Sequence, residues 1–246
     1  MKRVIRRSKN ADEEICLVYC RRKNDQIEIQ AMLRAYCANS LQDKYVDIYL
    51  PYNGDITFDE TEKTITGKLT EAVLSWRRGE TRLHPYHPVS PSDVARIVHV
   101  IDTDGAYIPE EAIIADDVGD VEYNRDSIRC GDRAFIVGRN RKKAKAIKKL
   151  LSVPRIDNIP YQVFFVSCNM DHVLFGTRNP AQKSKGSNAR YFASHCKCPD
   201  DLNQSIFGEA IRFDGAFPES WSFIQLDMNS LNRHTNLNLL LKDLSN

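Results

Sequence analysis

Short uninterrupted apolar runs alternate along the chain with segments of helical spacing. Ile15-Cys-Leu-Val-Tyr-Cys20 is one such run and suits a strand buried on both faces. Asp25 to Cys37 then carries Ile27, Ile29, Met32, Leu33 and Tyr36 at mostly helical spacing, so the pattern opens as strand, loop, helix. Tyr45 to Leu50 reads as a second strand, followed by a turn at Pro51-Tyr-Asn-Gly54. Thr57 to Lys68 is rich in Thr and partly alternating, which predicts a hairpin excursion or lid; Leu69 to Trp76 returns to helical spacing. Pro85 to Pro91 is a loop. Arg96 to Ile101 is the clearest buried strand, ending abruptly at Asp102-Thr-Asp-Gly105. Ala134-Phe-Ile-Val137 predicts another strand, and Asn140 to Leu151 a basic amphipathic helix with Ala144, Ile147 and Leu151 on its apolar side. Tyr161 to Ser167 is a further strand. Past Asn179 the chain turns polar: Gln182 to Asn188 reads as a mobile loop, with Trp221 to Ile224 and Leu237 to Leu244 anchoring closing helices.

This alternation argues for an α/β fold with a mostly parallel sheet, helices on both faces and a C-terminal helical extension. The expected organisation is an α/β core over 1–180, with an inserted hairpin or lid at about 54–80, and an extension over 181–246 packed on it. There is no internal repeat.

Composition narrows the class. With 42% hydrophobic residues, 246 residues can bury a large core, and no run approaches the ~18 apolar residues that span a membrane. Met1 to Asn10 is basic and polar, without a secretory apolar stretch, so a cytoplasmic location is expected. Seven cysteines, several within apolar runs, read as reduced thiols. His195-Cys196-Lys197-Cys198 offers three zinc-type ligands but lacks a second pair at a recognised spacing, so free thiols near a surface turn are expected. The net charge of +2 hides an asymmetry: nine acids and one base from Asp102 to Asp126, then seven bases and no acid from Arg139 to Lys149.

Asp102 and Asp104 are the sharpest chemical feature. An Asp-x-Asp pair at the carboxyl end of a strand offers two hard oxygen ligands to Mg²⁺ or Mn²⁺, at the sheet edge where α/β proteins bind ligands. The same residues also make good turn and capping chemistry. Asp171, following the Tyr161 strand, is the best third acid, and neighbouring His172 could orient a phosphate or water. Asp25 and Glu28, one turn apart at the start of the first helix, come next, although helix N-termini favour acids for dipole reasons alone. Arg139, Arg141, Lys142 and Lys145 on the basic helix are candidate phosphate contacts, holding a nucleic acid without reading its sequence. His84 and His87, separated by proline, belong to a loop.

Leu17 to Asp25, Val98 to Asp104 and Ser167-Cys-Asn-Met-Asp-His172 follow the order of elements in a known family. The chain resembles Toprim-fold proteins, a Rossmann-like group, of the RloB-like and OLD-like phage-defence type over roughly residues 15 to 180. In that family a first strand ends in Glu-Gly, a later strand in Asp-x-Asp, and a further strand leads into a segment with another acid. The resemblance implies a metal-dependent nuclease, with Asp102 and Asp104 as Mg²⁺ or Mn²⁺ ligands and Asp171 as another. It also implies DNA or RNA as partner and work beside a separate ATPase subunit, since this chain has no phosphate-binding loop of the Gly-x-x-x-x-Gly-Lys type. The chain departs at the first motif, where Glu and Gly fall on Arg21 and Arg22. Arginine neither ligates metals nor acts as a base at neutral pH. Either Asp25 or Glu28 takes over, or the site binds without cutting.

Two other readings stay open. Val100-Ile-Asp-Thr-Asp-Gly105 is similar to the first motif of haloacid-dehalogenase-type phosphatases, which would make Asp102 a nucleophile and Asp104 a general acid. A non-catalytic nucleic-acid- or partner-binding module is the third, with Arg21 and Arg22 suited to a phosphate or an acidic partner.

Overall fold

The uninterrupted apolar runs become central strands because each is buried on both faces. A computed structural model describes residues 14–20, 23–37, 44–49, 57, 64–78, 92 and 94–245. In chain order the elements are β1 (Glu14–Tyr19), α1 (Lys23–Cys37), β2 (Lys44–Tyr49), α2 (Ile65–Arg77) and β3 (Val94–Asp102). Three short strands follow, β4 (Ile113–Ala115), β5 (Glu122–Tyr123) and β6 (Ile128–Cys130), then α3 (Arg133–Leu151), β7 (Arg155–Ile156), β8 (Ile159–Ser167) and α4 (Met170–Phe175). Last come α5 (Gln182–His195), α6 (Phe217–Ile224), β9 (His234–Thr235) and α7 (Leu237–Ser245).

The described residues form an α/β fold around a six-stranded sheet ordered β2-β1-β3-β8-β7, with β9 also paired to β8. β2, β1, β3 and β8 are mutually parallel, and β7 and β9 run antiparallel to β8. The period-2 alternation of strands sends Cys16, Val18, Val98, Val100, Phe164 and Val166 to one face, where they meet apolar residues of α1, α4, α5 and α7. Leu17, Tyr19, Ile97, Ile101, Val163 and Phe165 meet α2, α3 and α6 on the other face. Each fully buried Leu, Ile or Phe contributes roughly 1.5–3 kcal/mol relative to exposure, so these two layers hold the sheet. A second sheet, β4-β6-β5, covers the first turns of α3 through Ile113, Ile128, Ile136 and Val137.

Three expectations are corrected. Ala134 to Val137 is the start of α3 and not a strand. Asp132 accepts the Phe135 N–H at 2.9 Å as N-cap, and Ile136 and Val137 bury in the second cluster, so capping and tertiary packing override the local strand preference of Phe-Ile-Val. Gln182 to Asn188 is the first half of α5, and its polar residues are largely the solvent side of a helix that buries Ala189 and Phe192. Ile65 to Lys68 belongs to α2, capped by Thr64, whose hydroxyl accepts the Gly67 N–H at 3.1 Å. The rest of the expected lid, apart from Thr57, lies outside the described residues, as do Arg21, Arg22, the Pro51 to Gly54 turn, the Pro85 to Pro91 loop, His84 and His87.

The C-terminal extension enters the main sheet. β9 pairs Thr235 with Val166 and His234 with Ser167. Asn236 accepts the Phe165 N–H at 2.8 Å, and the Thr235 hydroxyl donates to the Phe165 carbonyl at 2.7 Å. Among the described residues, no helix is long and apolar enough to cross a membrane.

Candidate functional site

Strand register brings the chemistry to one edge. Tyr19 is level with His99, and Asp102 with Val166, so the carboxyl ends of β1, β3 and β8 lie side by side. α1 starts just beyond β1 and holds Asp25 and Glu28 one turn apart; α4 starts just beyond β8 and holds Asp171. Asp25, Glu28 and Asp102 are buried, at 8%, 2% and 6% exposure, whereas Asp171 is half-buried and accepts a hydrogen bond from the Asn188 amide at 3.3 Å. Burial first, and then the charges of Asp25, Asp171 and Asp102, push the Glu28 carboxyl up to about 9. Glu28 is therefore protonated at neutral pH. The Cys20 thiol is pushed up by burial and then by Asp25, Glu28 and Asp102. These four carboxyl groups form one electrostatic cluster.

Asp104 belongs to a different environment. Its backbone is left-handed, with φ of 48°, followed by Gly105 at 70°. A Cβ on Gly105 would come within 2.7 Å of Leu231, so only glycine fits this turn. Asp104 N–H donates to the Cys168 carbonyl at 2.8 Å and Gly105 N–H to the Ser230 carbonyl at 3.1 Å. From α3, Arg139 Nη2 donates to the Asp104 carbonyl at 3.0 Å and Asn140 Nδ2 to the Gly105 carbonyl at 2.9 Å. The Asp104 carboxylate meets Lys143 Nζ at 2.5 Å, and that lysine side chain is 1% exposed. Cys168, fully buried, lies between the two environments: burial raises its thiol, Asp104 and Asp102 raise it further, and Arg139 and Lys143 oppose them.

The basic helix is only partly available to a polyanion. Arg139 turns inward, donating to Tyr123 Oη at 2.8 Å as well as to Asp104. Arg141 is exposed and ion-paired with Glu110 at 2.5 Å, while Lys142 and Lys145 lie on the exposed side of α3. His172 is buried and serves the backbone: its Nδ1 accepts the Cys168 N–H at 3.2 Å. Burial and then Arg178 and Arg233 lower its pKa to about 4. His195 stacks on Tyr191 with ring centroids 4.0 Å apart, Cys196 is buried and Cys198 exposed, and both cysteines are free thiols.

Sequence reasoning passed over Lys143 because it sits inside a run of bases. A signal was present: Ile136, Asn140, Lys143, Ile147 and Leu150 follow the 4-3-4-3 spacing of one helix face, and all five are buried. A lysine on that stripe needs a counter-ion.

Carboxylate oxygens are the donors Mg²⁺ and Mn²⁺ take, and a cluster that leaves Glu28 protonated for want of positive charge fits a divalent cation at Asp25, Glu28, Asp102 and Asp171. Among the described residues, no three His, Cys, Asp or Glu side chains stand as a ready coordination shell, so the carboxylates would close around an ion by side-chain rotation. The Asp104 position does not fit a cation in the same way, since an ammonium group is already there. Comparison with protein-family models, curated proteins and solved structures gives no match for the chain.

Proposed function

We propose that the protein is a metal-dependent, nuclease-like phosphodiesterase on a Toprim-like, Rossmann-like scaffold, with a role in phage defence. The observation that carries the reading is the convergence of Asp25, Glu28 and Asp171 on Asp102 at the carboxyl edge of the parallel strands. These residues would hold Mg²⁺ or Mn²⁺, which when bound supplies Lewis acidity toward a phosphodiester and lowers the pKa of water. Asp102 is fixed by β3, so it orients the site. Asp25 and Glu28 supply the acid function at the first motif, where arginines stand in the sequence. Asp171, the half-buried member, is placed nearest to solvent. Lys142 and Lys145 lie on the exposed side of α3, available for phosphate contacts. An ATPase partner belongs to the same proposal and would supply any nucleotide-driven step.

A second reading, a binding module with a degenerate site, is favoured by one observation: Asp104 is committed to Lys143 and Glu28 is protonated at neutral pH. The deciding experiment is cleavage of plasmid DNA, single-stranded DNA and bulk RNA with Mg²⁺ or Mn²⁺, native protein beside Asp102→Ala. A nuclease loses at least about 100-fold in rate in the variant, the scale on which one electrostatic group acts in a dry site. Nucleic-acid binding without cleavage in either protein gives the module. Formation of a phosphorylated Asp102 would replace both with a phosphatase.

A further inference from the structure

We infer that Lys143 stands in for a second divalent cation, so that the site takes a single metal ion on the Asp102 side and Asp104 is an internal counter-ion, not a ligand. The inference rests on the metal reading above and deepens it. An Asp-x-Asp pair at a strand end is the arrangement in which both carboxylates would serve cations, and here the two diverge. Asp102 belongs to the set with Asp25, Glu28 and Asp171. Asp104 lies against the ammonium group of Lys143.

That separation is built into the backbone. Left-handed φ at Asp104 and Gly105 swings the chain out of the strand direction, and the turn is held by bonds from β8, α3 and the Ser230 segment. Every residue of that frame is internal: Asn140, Thr103, Cys168 and Ser230 are buried, and Thr103 Oγ1 donates to the Ser230 carbonyl at 2.7 Å. For Asp104 to reach a cation on the Asp102 side, its carboxylate would leave Lys143 buried without this partner, a costly state for an ammonium group. A divalent ion placed beside Asp104 would also face Lys143 at close range, with the guanidinium of Arg139 bonded to the same residue. The compact, strongly hydrated ammonium group has the charge and size to occupy a cation's place at one carboxylate.

Mn²⁺ binding to the full chain, counted by electron paramagnetic resonance and isothermal titration at neutral pH, tests this. The native protein is expected to bind one Mn²⁺. Lys143→Met, prepared with Mn²⁺ present, is expected to bind two and to gain thermal stability from the ion. Asp104→Asn combined with Lys143→Met removes both charges at similar volume; it is expected to fold and to bind one Mn²⁺ with a Kd within about threefold of native, the factor by which single-interaction effects vary with context. Two ions on the native protein would overturn the inference, as would loss of Mn²⁺ from the double variant, since Asp104 would then be a ligand. One ion on folded Lys143→Met would also overturn it while leaving the metal reading intact. If Lys143→Met fails to fold with Mn²⁺ present, the double variant decides. No Mn²⁺ on the native protein would remove the metal reading itself, and this inference with it.

Discussion

Glu28 is nearly inaccessible among Asp25, Asp171 and Asp102, and the proton it keeps at neutral pH ties stability to pH with a definite sign. Its carboxyl is raised from 4.5 in the free state to about 9 in the fold, so the folded chain binds a proton that the unfolded chain has lost. The stabilisation is full below 4.5 and falls as pH rises toward 9. Glu28→Gln keeps a neutral side chain at every pH, so in EDTA its melting temperature relative to native should be higher at pH 8 than at pH 5. An equal difference at the two pH values would mean that Glu28 is ionised in the fold. His172 acts on the other limb. Lowered from 6.5 to about 4, it is neutral in the fold, and its contribution is present above 6.5 and lost as pH falls through 4. At this scale the sequence exposed the acids themselves, because Asp25, Glu28, Asp102 and Asp171 sit at element ends. It did not expose the partner of Asp104, which lies 39 residues away along the chain.

At the scale of elements, α3 is the part whose start the local sequence misplaced. Phe135-Ile-Val137 has strand-forming residue types, and only the cap at Asp132 and the burial of Ile136 and Val137 make it helix. Asp132→Ala should therefore cost about 1 kcal/mol in urea unfolding, a typical loss for an N-cap carboxylate. A loss below about 0.3 kcal/mol would assign the helix start to packing alone. The position of this helix matters beyond stability, since it carries Arg139, Asn140 and Lys143 to the Asp104 turn. α5 was hidden for a similar reason. Gln182 to Asn188 shows no apolar stripe by itself, and the helix declares itself only through Ala189 and Phe192 further on.

Across the whole molecule, the last segment closes the sheet. Leu237, Leu240, Leu241 and Leu244 are all buried in the layer over α1, and Asn236 and Thr235 bond both backbone groups of Phe165. Four buried leucines at roughly 1.5–3 kcal/mol each match the whole stability of a typical domain, about 5–15 kcal/mol. A chain ending at Arg233 should consequently lose its cooperative thermal transition, followed by circular dichroism and calorimetry together. A cooperative transition within a few degrees of native would make β9 and α7 a dispensable addition. The sequence by itself determined the strands with uninterrupted apolar cores, their alternation with helices and the strand end that bears Asp102, because burial period and turn chemistry are properties of neighbours in the chain. Tertiary structure alone decided that Asp25, Glu28 and Asp171 gather around Asp102 while Asp104 is claimed by Lys143. The physical reason is that a buried charge is settled by whatever group packing brings within a few ångströms, and sequence distance says nothing about that.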